Sequence, residues 1–276
     1  MYGTGSHSGH STAALWIEGE LHVVESQDGW YWPQHNIQRT PFKQWIQWAK
    51  NADFHVSWLP LKDELHEKFN TTAAYEWFKS VEGLPYGYHN FLFSWIDTPK
   101  DNLPPLLPWE LLPVAFDIVE KIAPKVASSF IGEALNFRLG TKGLNMAQIS
   151  AEASKQGLSL TELMALPEKD GWVYSDGESY VCSCFVAGLW IAGGLFEGME
   201  IQATEWSPKD VYQVDFFNTT YPRPEQCVEA DPNIPYCQLL GKYRMELPGF
   251  SSIKPYTHMN EHCPSIAPKF ERPDGC

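Results

Sequence analysis

The first regular pattern in the chain is an alternation of apolar and polar positions on both sides of Glu18 and Gly19. This pattern predicts a β-hairpin in which these two residues form the turn. The predicted strands are 11–17 and 20–26. Because side chains alternate between the two faces of a strand, counting back from the turn puts His10 and Glu25 on one face as diagonal neighbours.

Beyond the hairpin, the apolar positions show helical spacing in some segments and strand-like spacing in others. The predicted elements are helices 41–51, 65–81, 114–137 and 145–165 and strand 54–59. Pro41 suits the first turn of its helix, Gly83 ends the second helix, and Pro124 interrupts the third. The block 97–175, which opens with a proline-rich stretch, is therefore expected to be a helical insertion within one domain, 1–276.

The segment 181–196 is apolar nearly all round, which is typical of a helix that is buried on every side. We expect it to be the central helix of an α+β fold, with an antiparallel sheet packed on it. A strand is predicted over 211–217, and several prolines then end the periodicity. The extension 199–276 is therefore expected to be an extended tail that wraps the domain.

The net charge of the 276 residues is −14, and the acidic residues are spread along the chain. This balance argues against nucleic acid or an anionic membrane as the main partner. No apolar run approaches the roughly 18 to 20 residues that span a bilayer, so no transmembrane segment is expected. Residues 1–10 do not resemble a secretory signal, and we expect that upstream sequence is missing.

The six cysteines fall into two groups. Two lie in the apolar segment 181–196, and four lie in a proline-rich tail that is too poor in apolar residues to pack by itself. Such a segment is usually stapled by disulfides in an oxidising compartment. Four cysteines allow three pairings, and we expect the shortest loops to close. The expected pairs are Cys227–Cys237 and Cys263–Cys276.

Two Asn-x-Thr sequons begin at Asn70 and Asn218, and both asparagines are candidate glycosylation sites. A glycosylated, disulfide-containing protein belongs to an oxidising compartment. The sequons and cysteines together predict that the protein is secreted or resides in a lysosomal or vesicular lumen.

Cys182, near the start of the apolar segment, is the candidate nucleophile. A thiol becomes reactive when it is held as a thiolate, and a helix N-terminus with a nearby imidazolium has this effect. A buried cysteine is more often a small core residue, and this is the competing interpretation of both Cys182 and Cys184.

The string Cys-Ser-Cys-Phe-Val at 182–186 resembles the signature that opens the catalytic helix of NlpC-type papain-like peptidases. In ordinary members the cysteine precedes the histidine, whereas here the matching Gly-His-Ser, at 9–11, lies far upstream. This order is similar to the circularly permuted papain-like amidases related to lecithin:retinol acyltransferase. In that branch an acidic or polar residue follows on the next strand, and Val-Val-Glu at 23–25 matches it.

The resemblance implies a permuted papain-like fold with a triad of Cys182, His10 and Glu25. Gly-Leu-Pro-Tyr at 83–86 is similar to a Gly-x-x-Tyr element that precedes the cysteine in these enzymes, which implies that the Tyr86 hydroxyl lies at the active site. The resemblance covers about 5–96 and 178–196, less than half of the chain. The insertion and the C-terminal extension depart from the minimal family fold.

The implied reaction is acyl transfer to sulfur, which requires no cofactor and no metal. His10 would take the thiol proton, Glu25 would fix the histidine tautomer, and the Cys182 thiolate would attack an amide or ester carbonyl. The backbone N–H of Cys182 and the Tyr86 hydroxyl are candidate donors to the oxyanion. The implied substrate partner is a peptide, a peptidoglycan stem or an acyl lipid.

Three alternatives compete with this assignment. Cys184 and His7 are close enough in sequence to replace the nucleophile and the base, although the Phe-Val spacing favours Cys182 and the strand position favours His10. The pairs His7/His10 and Cys182/Cys184 also offer two nitrogen and two sulfur donors, a set that suits zinc. Finally, the chain could be a secreted binding or structural protein that kept the fold and lost the activity.

Overall fold

The computed structural model describes residues 6–28, 36–90, 131–164, 166, 168–175, 177–220 and 222–259. These residues form a mixed α+β structure with small antiparallel sheets. The strands are β1 (Ala13–Ile17), β2 (Glu20–Ser26), β3 (Ile37–Pro41), β4 (Val56–Trp58) and β5 (Cys237–Leu240). The helices are α1 (Phe42–Asn51), α2 (Asp63–Lys68), α3 (Thr71–Val81), α4 (Glu133–Leu139), α5 (Met146–Lys155), α6 (Leu160–Met164), α7 (Cys182–Ala192), α8 (Pro208–Gln213) and α9 (Glu225–Ala230), with a 3₁₀ turn at Ala203–Glu205.

The predicted hairpin is confirmed, because β1 and β2 pair antiparallel with Ile17 opposite Glu20. Glu18 and Gly19 both have positive φ angles, of 51° and 84°. A two-residue hairpin turn of the primed type needs this backbone conformation, and glycine adopts it without a steric cost. β3 was not predicted from the sequence, and it completes a sheet of order β1-β2-β3.

This sheet lies between two helices. One face, which carries Leu15, Val24 and Ile37, packs in the main core with α7. The other face packs Val23 against Trp45 of α1. The central helix predicted over 181–196 is confirmed as the shorter α7, whose residues from Cys182 to Trp190 are all buried.

Three predicted elements differ from the structure because capping residues override the apolar spacing. The helix predicted over 145–165 is divided into α5 and α6, since Gly157 has a positive φ angle and the Ser159 hydroxyl accepts a hydrogen bond from the Glu162 N–H. The helix predicted over 65–81 is divided into α2 and α3, since the Asn70 side chain accepts a hydrogen bond from the Ala73 N–H and begins a new helix there. The strand predicted over 211–217 is wrong, because α8 occupies the first part of this segment. Ser207 and Asp210 form a capping box around Pro208, a strong helix start.

Helices α4, α5 and α6 pack around an apolar cluster of their own, which includes Leu135, Ile149 and Leu163. They fall within the block 97–175, for which the sequence predicts a helical insertion. The helix predicted over 114–137 lies mostly outside the described residues, and α4 is the part of this region that the structure describes.

The C-terminal extension contains regular structure as well as extended chain. β5 pairs antiparallel with β4, so the extension is joined to the N-terminal part of the chain. The predicted Cys227–Cys237 disulfide is present and links α9 to β5. Cys263 and Cys276 lie outside the described residues. Among the helices described, none has the length and apolar character that a membrane span requires.

Candidate active site

Cys182 is the first residue of α7, and its side chain is nearly buried. Val181 precedes it in an extended conformation, and no side chain caps the helix there. The backbone N–H groups of a helix's first turn have no partner within the helix and carry the positive end of its dipole. This position therefore favours a negative charge on the Cys182 sulfur.

His10 and Glu25 are joined by a hydrogen bond of 2.9 Å between Nε2 and Oε2. The Glu25 side chain is almost completely buried, whereas the His10 side chain is 31% exposed. Their proximity agrees with the diagonal position that the hairpin pairing gives them. Because Nε2 is engaged by the carboxylate, Nδ1 is the ring nitrogen that remains for the Cys182 sulfur, to which His10 also hydrogen-bonds.

Three donors surround the Cys182 sulfur: the His10 ring, the Tyr86 hydroxyl and the backbone N–H of Ser11. Burial by itself raises the pKa of the Cys182 thiol. The charge and hydrogen bond of His10 lower this pKa, and the hydrogen bonds from Ser11 and Tyr86 lower it further. The net result is a pKa below the ordinary value. The structure therefore favours a thiolate.

The imidazole shows the complementary effect. Burial by itself lowers the pKa of His10, but the Cys182 thiolate, with Glu25 as a second anionic partner, raises it to about 10. Burial and the nearby thiolate raise the pKa of Tyr86, so its hydroxyl keeps its proton and acts as a hydrogen-bond donor. The two pKa shifts together favour a thiolate–imidazolium pair with a carboxylate behind the imidazolium.

The carbonyl of Tyr180 holds the parts of the site together. It accepts a hydrogen bond of 2.6 Å from the Ser26 hydroxyl and one of 3.0 Å from the Gly87 N–H. Ser26 follows Glu25 on β2, and Gly87 follows Tyr86, so one carbonyl just before Cys182 ties three of the site's segments to each other. A Cβ on Gly87 would lie 3.0 Å from the Tyr180 carbonyl carbon, closer than an ordinary van der Waals contact, so the close packing of these two backbone segments favours glycine here.

The competing residues lie in different surroundings. Cys184 is fully buried, and burial together with nearby acidic groups raises the pKa of its thiol well above the ordinary value. His7 is exposed, whereas His10 contacts both Cys182 and Glu25. Within the described parts of the chain, no cluster of three or more His, Cys, Asp or Glu side chains could hold a metal ion, so the proposed zinc set does not converge there.

Sequence reasoning missed the neighbours that hold the site in place. Trp45 lies on α1, and its indole N–H donates to Glu25 Oε1 at 2.9 Å, a contact that the apolar spacing of this helix does not indicate. A signal was available, because a tryptophan on a buried face needs an acceptor for its N–H. The roles of Ser11, Ser26 and Gly87 depend on segments that meet only in three dimensions, and no local pattern indicates them.

Comparison of the chain with models of known protein families, with curated proteins and with solved structures finds no match.

Proposed function

We propose that the protein is a cysteine hydrolase of the circularly permuted papain-like type, which cleaves an amide or ester bond through a thioacyl intermediate. The observation that carries the proposal is the continuous chain of contacts from Glu25 through His10 to the Cys182 sulfur. A nucleophile hydrogen-bonded to a base, with the base oriented by a third group, is the arrangement that activates thiol nucleophiles.

In the acylation step, the Cys182 thiolate forms a bond to the carbonyl carbon of the substrate, and the π electrons of the carbonyl move to its oxygen. The N–H of Cys182 at the start of α7, which donates to the Tyr86 oxygen in the free site, is the candidate donor for this oxyanion. As the tetrahedral species collapses, the bond to the leaving group breaks and the His10 imidazolium transfers its proton to the departing amine or alkoxide. The product of this step is a thioester on Cys182.

The thioester is then hydrolysed by the same groups in reverse roles. Neutral His10 takes a proton from water, the hydroxyl oxygen attacks the thioester carbonyl, and the carbon–sulfur bond breaks. The acid is released and the thiolate–imidazolium pair is restored. Tyr86, which donates to the free thiolate, can turn its hydroxyl toward the oxyanion once the sulfur is acylated.

The proposal is tested with an electrophile that mimics an acyl group, such as an acyloxymethyl ketone, followed by peptide mapping. We expect stoichiometric labelling of Cys182, abolished in Cys182→Ser and strongly reduced in His10→Gln. Cys184→Ser is the matched control, because it removes a thiol on the same helix, and it should label like the wild type.

Turnover is measured with p-nitrophenyl esters of different acyl chains, with and without hydroxylamine as a competing acceptor. Release of nitrophenol that depends on Cys182 supports the proposal, and capture of the acyl group by hydroxylamine demonstrates the thioester. If Cys182→Ser retains full turnover, or if Cys182 resists every acyl electrophile, the proposed function is wrong.

A further inference from the structure

The buried carboxylate of Glu25 has a second partner besides His10. Glu25 Oε2 pairs with the His10 ring at 2.9 Å, and Glu25 Oε1 accepts the indole N–H of Trp45 at 2.9 Å. Glu25 is 0% exposed and Trp45 is 6% exposed, so this second bond lies away from bulk solvent. Each carboxylate oxygen therefore has its own donor.

Two donors on different oxygens fix the plane of a carboxylate whose terminal torsion is otherwise broad. Trp45 is itself held by packing with Val23 and Ala49 between α1 and the sheet. Its N–H is therefore a rigid support on the side of Glu25 opposite to the histidine. Without this donor, one oxygen of a buried carboxylate would lose its hydrogen bond, which is costly in a dry site.

We propose that Trp45 is a positioning residue, which acts on the nucleophile through Glu25 and His10 by holding the carboxylate in the orientation that supports the imidazolium. The inference rests on the proposed function, because a positioning residue presupposes a catalytic nucleophile. The link between the Trp45 N–H and the ionisation of His10 can nevertheless be measured without a substrate.

The groups that face this link are few among the described residues. β3 places the neutral Gln38 opposite Glu25. Cys182 faces His10 from α7, and Tyr86 faces Cys182 from the segment after α3. Asp28, beyond the end of β2, acts on Tyr86. The titration of His10 is therefore governed mainly by Cys182 and Glu25, and the hydrogen bond to Glu25 is the route from Trp45 to His10 that the described residues provide.

The test is an NMR titration of the histidine ring in Trp45→Phe, which keeps an aromatic ring and removes the N–H. Glu25 raises the pKa of His10, so weakening its support lowers the pH at which the imidazolium loses its proton. We expect a downward shift of about one pH unit in Glu25→Gln and a smaller shift in the same direction in Trp45→Phe.

Trp206→Phe is the matched control, because Trp206 is fully buried and its indole N–H has no hydrogen-bond partner among the described residues. It should leave the titration of His10 unchanged. The double variant Trp45→Phe/Glu25→Ala should titrate like Glu25→Ala alone, since the side chain that joins Trp45 to His10 is then absent, whereas Gln would keep an oxygen that can accept the indole N–H. Additive shifts, or equal shifts in Trp45→Phe and Trp206→Phe, would overturn the inference.

A measurement on the wild type keeps the inference testable if Trp45→Phe does not fold. The indole N–H resonance of Trp45 should shift with pH at the same midpoint as the His10 ring, and that of Trp206 should not. If the Trp45 N–H resonance does not shift at the pH where His10 titrates, the inference is wrong, and the proposed thiol chemistry is unaffected. Conversely, a protein with coupled Trp45 and His10 but no thiol reactivity would refute the proposed function alone.

Discussion

At the scale of single residues, two cysteines two positions apart on α7 have opposite environments. Cys182 lies at the helix N-terminus, with the His10 ring and two further donors around its sulfur. Cys184 lies inside the main core, among apolar side chains and near acidic groups. The same burial therefore leads to a stabilised thiolate at one position and a neutral thiol at the other, because only Cys182 has a cation beside it.

This difference predicts selective alkylation of Cys182 by iodoacetamide at about pH 6, where an ordinary thiol is almost fully protonated. We expect Cys182 to react at least about tenfold faster than Cys184 in the native protein, as measured by mass spectrometry of tryptic peptides. In urea the two rates should become equal, which is the internal control. Preferential labelling of Cys184 in the native protein would rule out Cys182 as the nucleophile.

At the scale of elements, the sequence predicted best those parts whose signals are local. The hairpin follows from alternation around Glu18 and Gly19, and α7 follows from an uninterrupted apolar run. β3 was missed because the short segment Ile37–Pro41 has little alternation of its own and is defined by its pairing with β2. The segment 211–217 was assigned to a strand because its apolar spacing was given more weight than the helix-capping residues before it, and α8 occupies its first part.

The same distinction applies to the candidate site. The proximity of His10 and Glu25 follows from counting along one hairpin, whereas Cys182 and Tyr86 were placed beside them only through the family resemblance. The supporting contacts of Trp45 and Gly87 connect segments that are distant in sequence. Such contacts cannot be deduced from spacing, because the packing of the helices on the sheet determines them.

The contact between Gly87 and the start of α7 predicts a large effect from a single methyl group. In Gly87→Ala the new Cβ would lie 3.0 Å from the Tyr180 carbonyl carbon and 3.1 Å from the Val181 nitrogen, so one of the two segments must move. Moving Tyr86 away from Cys182 should slow acylation by about 10- to 100-fold and destabilise the protein by about 1–3 kcal/mol.

Rates of Cys182 labelling and urea unfolding measure these two effects. Gly171→Ala is the control, because a Cβ there meets no atom within 4 Å. It should leave both quantities unchanged. If Cys182 in Gly87→Ala is labelled at the wild-type rate, the contact of Gly87 with Tyr180 and Val181 does not position Tyr86.

At the scale of the whole molecule, buried polar groups connect the α4–α6 unit to the core around α7. Arg138 of α4 pairs with Glu168 at 3.2 Å, and both side chains are almost completely buried. Glu168 also accepts the Tyr174 hydroxyl at 2.5 Å, and its backbone N–H donates to the buried Glu205 near the end of the 3₁₀ turn. Removing one member of such a network leaves an uncompensated buried charge.

Arg138→Met should therefore destabilise the protein by about 3–5 kcal/mol, as measured by urea unfolding. The loss should grow between about pH 5 and pH 8, because burial already raises the pKa of Glu168 and the variant removes the cation that opposes this rise. A carboxyl whose pKa is raised in the folded state binds its proton more tightly there than in the unfolded chain. The contribution of Glu168 to the free energy of unfolding is therefore most favourable at low pH, and it is lost as the pH rises through the folded-state pKa of this carboxyl.

Two variants separate this network effect from the general loss of a positive charge. Lys155→Met removes a cation whose side chain is 73% exposed on α5, and it should change the stability by less than about 1 kcal/mol at either pH. The double variant Arg138→Met/Glu168→Gln should recover part of the stability at about pH 8, because no buried charge is then left unpaired. A loss in Arg138→Met that is independent of pH, together with no recovery in the double variant, would show that the ion pair does not connect the two parts of the fold energetically.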